Sequence, residues 1–142
     1  MYHNLQQHDV RLFFFDVYDK YINNQTLAGV ELLAIEVIQS HQEYINIMEN
    51  KDKYLEYQWH PEIGEINPFL HMSMHISIRE QITIDQPIGI LDYYNRLLKK
   101  YQDKLVVEHY IMDCLAEMIW HGQKNNTPFD SNIYFQCLEQ KL

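Results

Sequence analysis

The 142-residue chain is poor in the residues that make tight turns, with four glycines and four prolines. That supply is too small for a many-stranded β-sandwich, in which each short strand ends in a turn, and it excludes a collagen-like repeat. Four scattered glycines cannot cradle a phosphate, and the sequence contains no G-x-G-x-x-G, Walker lysine or G-x-S-x-G pattern. Nucleotide-binding loops and serine-nucleophile elbows are therefore not expected.

Basic residues are also scarce, with 11 Lys and Arg against 20 Asp and Glu, for a net charge of −9. Binding to nucleic acid or to an anionic membrane requires basic surface, so the sequence predicts neither partner. An acidic surface leaves open a basic protein partner or a homo-oligomer. A small-molecule substrate is not indicated by any motif.

Long apolar runs are missing too. The longest aromatic cluster, Phe13 to Phe15, has three residues, against the roughly 18 to 20 of a spanning helix, and residues 1–11 contain no apolar segment typical of a signal peptide. The two cysteines, Cys114 and Cys137, lie in helical patterns without a C-x-x-C pair. We therefore expect buried, reduced thiols in a cytoplasmic protein; the alternative is a disulfide that ties two helices, which requires oxidising surroundings.

What the chain does have is helical periodicity. Hydrophobic residues make up 46% of it, and Val10, Phe13, Phe14, Val17 and Tyr18 stand at the i, i+3, i+4, i+7 and i+8 positions of one amphipathic stripe. Similar stripes recur along the sequence, without an internal repeat or a linker. The sequence predicts an all-α fold: a single domain over residues 1–142, built as a bundle of five or six helices.

The periodicity is lost over residues 49–66, between the predicted second and third helices. This segment contains Pro61 and Gly64 and is longer than most helix connections. We interpret it as a surface loop held against the body by Tyr54 and Trp59. A functional lid is the alternative.

The predicted third helix begins at Asn67-Pro68, because Asn caps helices and Pro is tolerated at the first helical position. It contains His71 and His75, which lie four residues apart and therefore on one face. Apolar residues share that face, so both imidazoles are expected to point inward. Buried imidazoles require a partner, usually a metal or a carboxylate.

The predicted fifth helix, from about Lys104 to His121 with Gly122 as its C-terminal cap, is apolar around most of its circumference. One row of titratable residues at spacing four runs through it: His109, Asp113, Glu117 and His121. If this helix packs on the third, their side chains meet His71 and His75. We predict a metal site with His71, His75, His109 and Glu117 as ligands and Asp113 as a ligand or an orienting group. Nitrogen and oxygen ligands suit Zn, Fe or Mn, and His41 offers a further nitrogen.

Two other interpretations remain open. The histidines could form a hydrogen-bonded network with Asp113 or Glu117 inside a structural or protein-interaction module that binds no metal. A metal-free acid–base enzyme would need a pocket that reaches those carboxylates. The H-E-x-x-H pattern of metalloproteases and the E-x-x-H pattern of di-iron bundles are absent. Arg79 is expected to face solvent or a partner, and Glu108, which lies outside the row of titratable residues, is expected to be solvated.

Several blocks of the sequence resemble one known family. They are NPFLHMSMHISIREQ at Asn67 to Gln81, IDQPIG at Ile84 to Gly89, SHQEY around His41, EHYIMDCLAEMIW at Glu108 to Trp120, and RLFFFDVYDKY near the start. Together they are similar to the small bacterial proteins grouped as domain of unknown function 1841. The residue after His41 is Gln42, where that family tends to have Pro. The resemblance implies a bacterial, cytoplasmic, single-domain protein and implies no activity.

Overall fold

The structure is a computed structural model that describes the backbone of residues 2–142 and the side chains of residues 7–142. Within that part of the chain it is all-helical, without a strand, which confirms the predicted fold class. The α-helices are α1 (Tyr2–Ile22), α2 (Val30–Gln39), α3 (Ile45–Met48), α4 (Lys51–Tyr54), α5 (Pro68–Ile84), α6 (Ile90–Tyr101), α7 (Lys104–Asn125) and α8 (Ser131–Gln140).

The described residues thus form eight α-helices, where five or six were predicted. The difference lies in α3 and α4, which have four residues each and are too short to show a hydrophobic period. Short 3₁₀ turns at Gln42–Tyr44 and Pro61–Ile63 complete the helical elements. None of the described helices combines the length and the apolar character that crossing a membrane would require.

The chain divides into two compact units, Met1–Ile76 and Ser77–Leu142, and the boundary falls inside α5. A single domain over residues 1–142 stays a prediction. The first unit has a core of aromatic and aliphatic side chains contributed by α1, α2, α3 and α5. Its buried residues are Phe14, Phe15, Val17, Ala34, Ile35, Val37, Ile38, Met48, Phe69, Met72 and Ile76.

Residues 49–66 pack against this core, as predicted. Tyr54 and Trp59 are partly buried against it, with their rings stacked 6.0 Å apart. The sequence did not indicate the group that fastens them, which is Arg11 of α1. Its guanidinium Nη1 donates to the backbone carbonyls of Tyr54, Leu55 and Tyr57 at 3.2, 3.1 and 2.6 Å. The same group lies 4.9 Å from the centre of the Trp59 ring, at cation–π distance.

In the second unit, α6 and α8 both contact α7. The expectation of reduced thiols is wrong: Cys114 of α7 and Cys137 of α8 form a disulfide, with their Cα atoms 5.5 Å apart. The two cysteines face each other because each lies on the side of its helix that packs on the other helix. With the bond formed, the cysteines no longer support a reducing compartment.

Helix α7 is longer than predicted. It passes through Gly122 and ends at Asn125, followed by Asn126 in the left-handed conformation with φ 51°. Gly122 is inside the helix for a steric reason. A Cβ atom there would lie 2.6 Å from the ring of Phe129 and 3.2 Å from the carbonyl oxygen of Thr127, so a larger residue would require the turn that follows the helix to shift.

Candidate metal centre

Helix α5 positions two of the predicted ligands. The Asn67 side chain caps its start, accepting from the amides of Phe69 and Leu70 at 2.9 and 3.3 Å. With the helix set in this way, His75 is fully buried and His71 is half-buried, which confirms that the pair points inward. Their Nε2 atoms lie 3.2 Å apart, so the two imidazoles converge on one point in space.

His41 approaches the same pair from the end of α2. The chain leaves the helix at Ser40, and His41, at φ −124°, precedes the 3₁₀ turn. Its ring is 3% exposed and lies 5.0 and 4.8 Å, centre to centre, from the rings of His71 and His75. The residue that the sequence offered only as a further nitrogen donor is therefore a full member of the cluster.

The tautomer of His41 follows from its hydrogen bond. Nδ1 lies 2.7 Å from the backbone carbonyl of Val37, which can only accept, so Nδ1 carries the proton and donates it. The lone pair is then on Nε2. The His41 ring also stacks on the ring of Tyr44, with the two planes 3° apart. Burial raises the pKa of the Tyr44 phenol above its ordinary value. His41 is held by its neighbours in one orientation.

The three rings of the first unit form one cluster. Each of His41, His71 and His75 offers a ring nitrogen, and these nitrogens all lie within 4.8 Å of one another. His41 and His75 are buried and His71 is half-buried. Three imidazoles so close together could hold a metal ion through nitrogen ligands alone. The other predicted histidine ligand, His109, is half-buried on α7 of the second unit.

The distance between the ring nitrogens of His71 and His75 suits coordination of one ion. Two nitrogens bound to one tetrahedral zinc at about 2.0–2.1 Å stand about 3.3–3.4 Å apart. The 3.2 Å between the Nε2 atoms of His71 and His75 is close to that value. A ligating imidazole usually donates its other N–H to a carbonyl or a carboxylate, which fixes its tautomer and orientation. His41 already makes such a bond, to Val37.

The two predicted carboxylates do not face inward. Asp113 and Glu117 are exposed, and the Asp113 carboxylate lies 3.9 Å from Nζ of Lys141. The prediction that they avoid water is wrong because α7 is apolar nearly all round, so its sequence does not define which side is buried. The buried side is centred on Ile111, and at about 100° per residue Asp113 points to the opposite side.

Glu108, expected to be solvated, is instead the buried carboxylate of α7, at 4% exposure. It forms a two-pronged ion pair with Arg79 of α5: Nε donates to Oε1 at 2.7 Å and Nη2 to Oε2 at 3.2 Å. The phenol of Tyr94 is close enough for burial, and then the negative charge of Glu108, to raise its pKa. The sequence spacing did indicate that Arg79 points inward, because it follows His71 and His75 at intervals of four residues and therefore lies on the same face of α5.

The family resemblance can be tested against the whole chain. A family model described as Domain of unknown function (DUF1841) matches residues 6–140. The chain belongs to this family. Neither the curated proteins nor the solved structures contain a match to this DUF1841 chain. The family has no known activity to transfer, so its function has to be argued from the histidine cluster.

Proposed function

We propose that this DUF1841 chain binds one divalent transition-metal ion through His41, His71 and His75. The observation that supports the proposal is the convergence of three ring nitrogens within 4.8 Å. Two of these three histidines are buried, so the cluster is not a chance group of surface side chains. The ligand set differs from the one predicted from the sequence, because His41 replaces the carboxylates of Asp113 and Glu117; His109 as a ligand stays a prediction.

The chemistry of the donors narrows the choice of metal. Imidazole suits zinc, iron, copper and nickel, whereas manganese and magnesium prefer oxygen ligands. Among the metals predicted from the sequence, zinc and iron therefore fit this site better than manganese. Four imidazoles saturate a tetrahedral zinc and give a structural site, whereas three leave a position for a reactive water. The number of bound imidazoles thus separates a structural protein from a metalloenzyme.

A metal-free hydrogen-bond network is the competing function. It is favoured by two contacts, the 3.2 Å approach of His71 to His75 and the bond from His41 to the Val37 carbonyl. Under this alternative the histidines hold helices in register and the chain acts through its acidic surface. The two functions differ in whether an added metal changes the stability of the protein.

The first experiment measures metal directly. The chain, purified without a histidine tag, is analysed by elemental mass spectrometry, and its melting temperature is recorded with chelator and with added Zn, Fe and Mn. We expect about one ion per chain and a higher melting temperature with Zn or Fe than with chelator, because an ion that binds only the folded state stabilises it. A metal-free chain whose melting temperature ignores all three ions overturns the proposal.

The second experiment identifies the ligands. His71→Ala should abolish binding, and its half-buried position makes it the milder change to the core. His121→Ala is the matched control, since His121 is also half-buried but outside the cluster. Glu117→Gln tests the ligand predicted from the sequence and should leave the stoichiometry unchanged. Full stoichiometry in His71→Ala would show that the ion binds elsewhere.

The cytoplasmic location and bacterial origin stay proposals that rest on the family resemblance. Oxidation of the two cysteines offers a direct check on the location. Thiol labelling of the protein in intact cells should find them free in a reducing compartment and blocked in an oxidising one, because cytosolic disulfides are rare. Cysteines that are blocked in the cell would contradict a cytoplasmic location.

A further inference from the structure

The ring of Tyr44 lies flat against the ring of His41, one of the three proposed metal ligands. The two planes are 3° apart and the ring centres are 5.2 Å apart, so the imidazole lies against the face of the phenol rather than its edge. The backbone holds the two residues together, because the amide of Tyr44 donates to the carbonyl of His41 at 2.9 Å across the 3₁₀ turn. Tyr44 is half-buried and belongs to the same compact unit as the ligands.

Two contacts together define the orientation of the His41 ring. Nδ1 donates to the Val37 carbonyl at 2.7 Å, which fixes one edge of the imidazole. That bond alone would let the ring tilt about its own axis, and the flat contact with Tyr44 resists the tilt. The ring is thereby held 5.0 and 4.8 Å, centre to centre, from the rings of His71 and His75.

Metal binding adds an electrostatic part to this stack. Imidazole ligates a metal in its neutral form, so a bound divalent ion would be the largest local charge in the cluster. The face of an aromatic ring is negative and attracts positive charge within about 6 Å of the ring centre, most strongly where water is excluded. The His41 ring lies within that distance of the Tyr44 ring centre and is 3% exposed.

We propose that Tyr44 raises the affinity of the site for a divalent metal ion by stacking on His41. The inference rests on the proposed metal site. Tyr44 is a positioning residue, since it acts on the ion through the ring of His41. Its face stabilises the positive charge that this ring shares once the ion is bound. Because that stabilisation exists only in the metal-bound state, it increases the affinity for metal and not merely the stability of the metal-free fold.

The test varies the electron density of the ring at position 44 and keeps its shape. Phenylalanine with no, one, two or three ring fluorines replaces Tyr44, and affinity for Zn is measured by competition with a chromophoric chelator. Each fluorine withdraws electron density from the face of the ring, so the affinity should fall stepwise, by about fivefold across the series. Tyr44→Phe itself keeps the stack and should stay within about twofold of the wild type.

Two further variants complete the design. Tyr44→Leu removes the ring and should weaken Zn binding by about tenfold, as for other groups that orient a metal ligand. The fluorinated series decides the question if Tyr44→Leu does not fold, which circular dichroism and the metal-free melting temperature establish. The matched control is Tyr54, a half-buried tyrosine of the same unit that stacks on Trp59 at 6.0 Å. The same fluorinated residues at position 54 should leave the affinity unchanged.

The outcomes separate this inference from the proposed function. If the wild-type chain binds no Zn, the proposed function fails and the inference fails with it. If the wild-type chain binds Zn and the affinity is constant across the fluorinated series, the inference alone is overturned. An equal fall with fluorination at position 54 also overturns it, as does a fall at position 44 that only follows a loss of metal-free stability.

Discussion

Each of the two compact units contains one interaction that holds distant parts of its own chain together, and the chemistry of that interaction differs between the units. In Met1–Ile76, a single guanidinium, that of Arg11, holds the segment from Tyr54 to Tyr57 by three bonds to carbonyl oxygens. In Ser77–Leu142, a covalent bond between Cys114 and Cys137 joins α7 to α8. The interaction in the first unit depends on the buried guanidinium of Arg11, whose hydrogen bonds to carbonyl oxygens compensate for its loss of water. The disulfide restricts the conformations of the unfolded chain, and this effect does not depend on the groups that surround the bond in the folded protein.

The two interactions predict which change should lower the stability of each unit. Loss of Arg11 leaves carbonyl groups without their donor, which penalises the folded state directly. Loss of the disulfide acts largely by releasing the unfolded chain from a closed loop. The first unit should therefore respond most to a change of side chain, and the second to reductant. Three predictions test this difference.

The largest effect is expected for Arg11→Met, which should lower the free energy of unfolding of the first unit by about 4 kcal/mol because three part-buried carbonyls lose a charged donor. Denaturant unfolding followed by Trp59 fluorescence, in a Trp120→Phe background, measures it. Arg96→Met is the control, since the exposed Arg96 makes two long ion contacts and one cation–π contact with Tyr93 and should cost less than about 1 kcal/mol. Equal losses in the two variants would contradict the role of Arg11.

Removal of the disulfide comes next. The double variant Cys114→Ala/Cys137→Ala should lose about 3 kcal/mol, the value expected for a bond that closes a loop across 23 residues of sequence separation. Trp120 fluorescence in a Trp59→Phe background reports on the second unit. Reductant should destabilise the wild type to a similar extent and leave the double variant unchanged. A wild type that ignores reductant, under conditions where both thiols titrate as free, would show that the bond does not stabilise the unit.

The smallest effect concerns Tyr134, which is fully buried and donates from its hydroxyl to Oε1 of Gln81 at 2.8 Å. Tyr134→Phe should cost about 1 kcal/mol near neutral pH. Burial raises the pKa of the Tyr134 phenol above its ordinary value of 10.0. The folded state therefore favours the neutral phenol, and its stabilising effect is complete below pH 10. It is lost as the pH rises further, because the unfolded chain ionises first.

Unfolding measurements from pH 8 to pH 11 test that sign. Above pH 10 the wild type should lose stability more steeply than Tyr134→Phe, so the difference between the two should shrink. Tyr21→Phe serves as the control, since Tyr21 is exposed. Parallel curves for the wild type and Tyr134→Phe would contradict the raised pKa.

Much of the fold could be predicted because local chemistry determines it. Asn67-Pro68 predicts the start of α5, and the Asn67 side chain does cap it. Asp130 caps α8 in the same way, because its side chain accepts from the amide of Asn132 at 2.9 Å. The inward direction of His71 and His75 also followed from the apolar residues that share their face of α5.

The remainder depends on which helix faces which, and a sequence pattern does not contain that information. Helix α7 is apolar on nearly every side, so the row of Asp113 and Glu117 was assigned to the core although it faces water. The buried partner of Arg79 was missed for the same reason, since Glu108 is one position outside that row. The cysteine pairing likewise depends on how α7 packs on α8.

The hydrogen bond from His41 to the Val37 carbonyl has an electronic consequence. The carbonyl end of a helix carries a partial negative charge, and His41 donates its hydrogen bond to a carbonyl in the last turn of α2. A ligating imidazole whose other N–H is bonded to a carbonyl is a better donor to a metal ion. Through this one ring, the dipole of α2 would favour the higher oxidation state of any redox-active ion bound there.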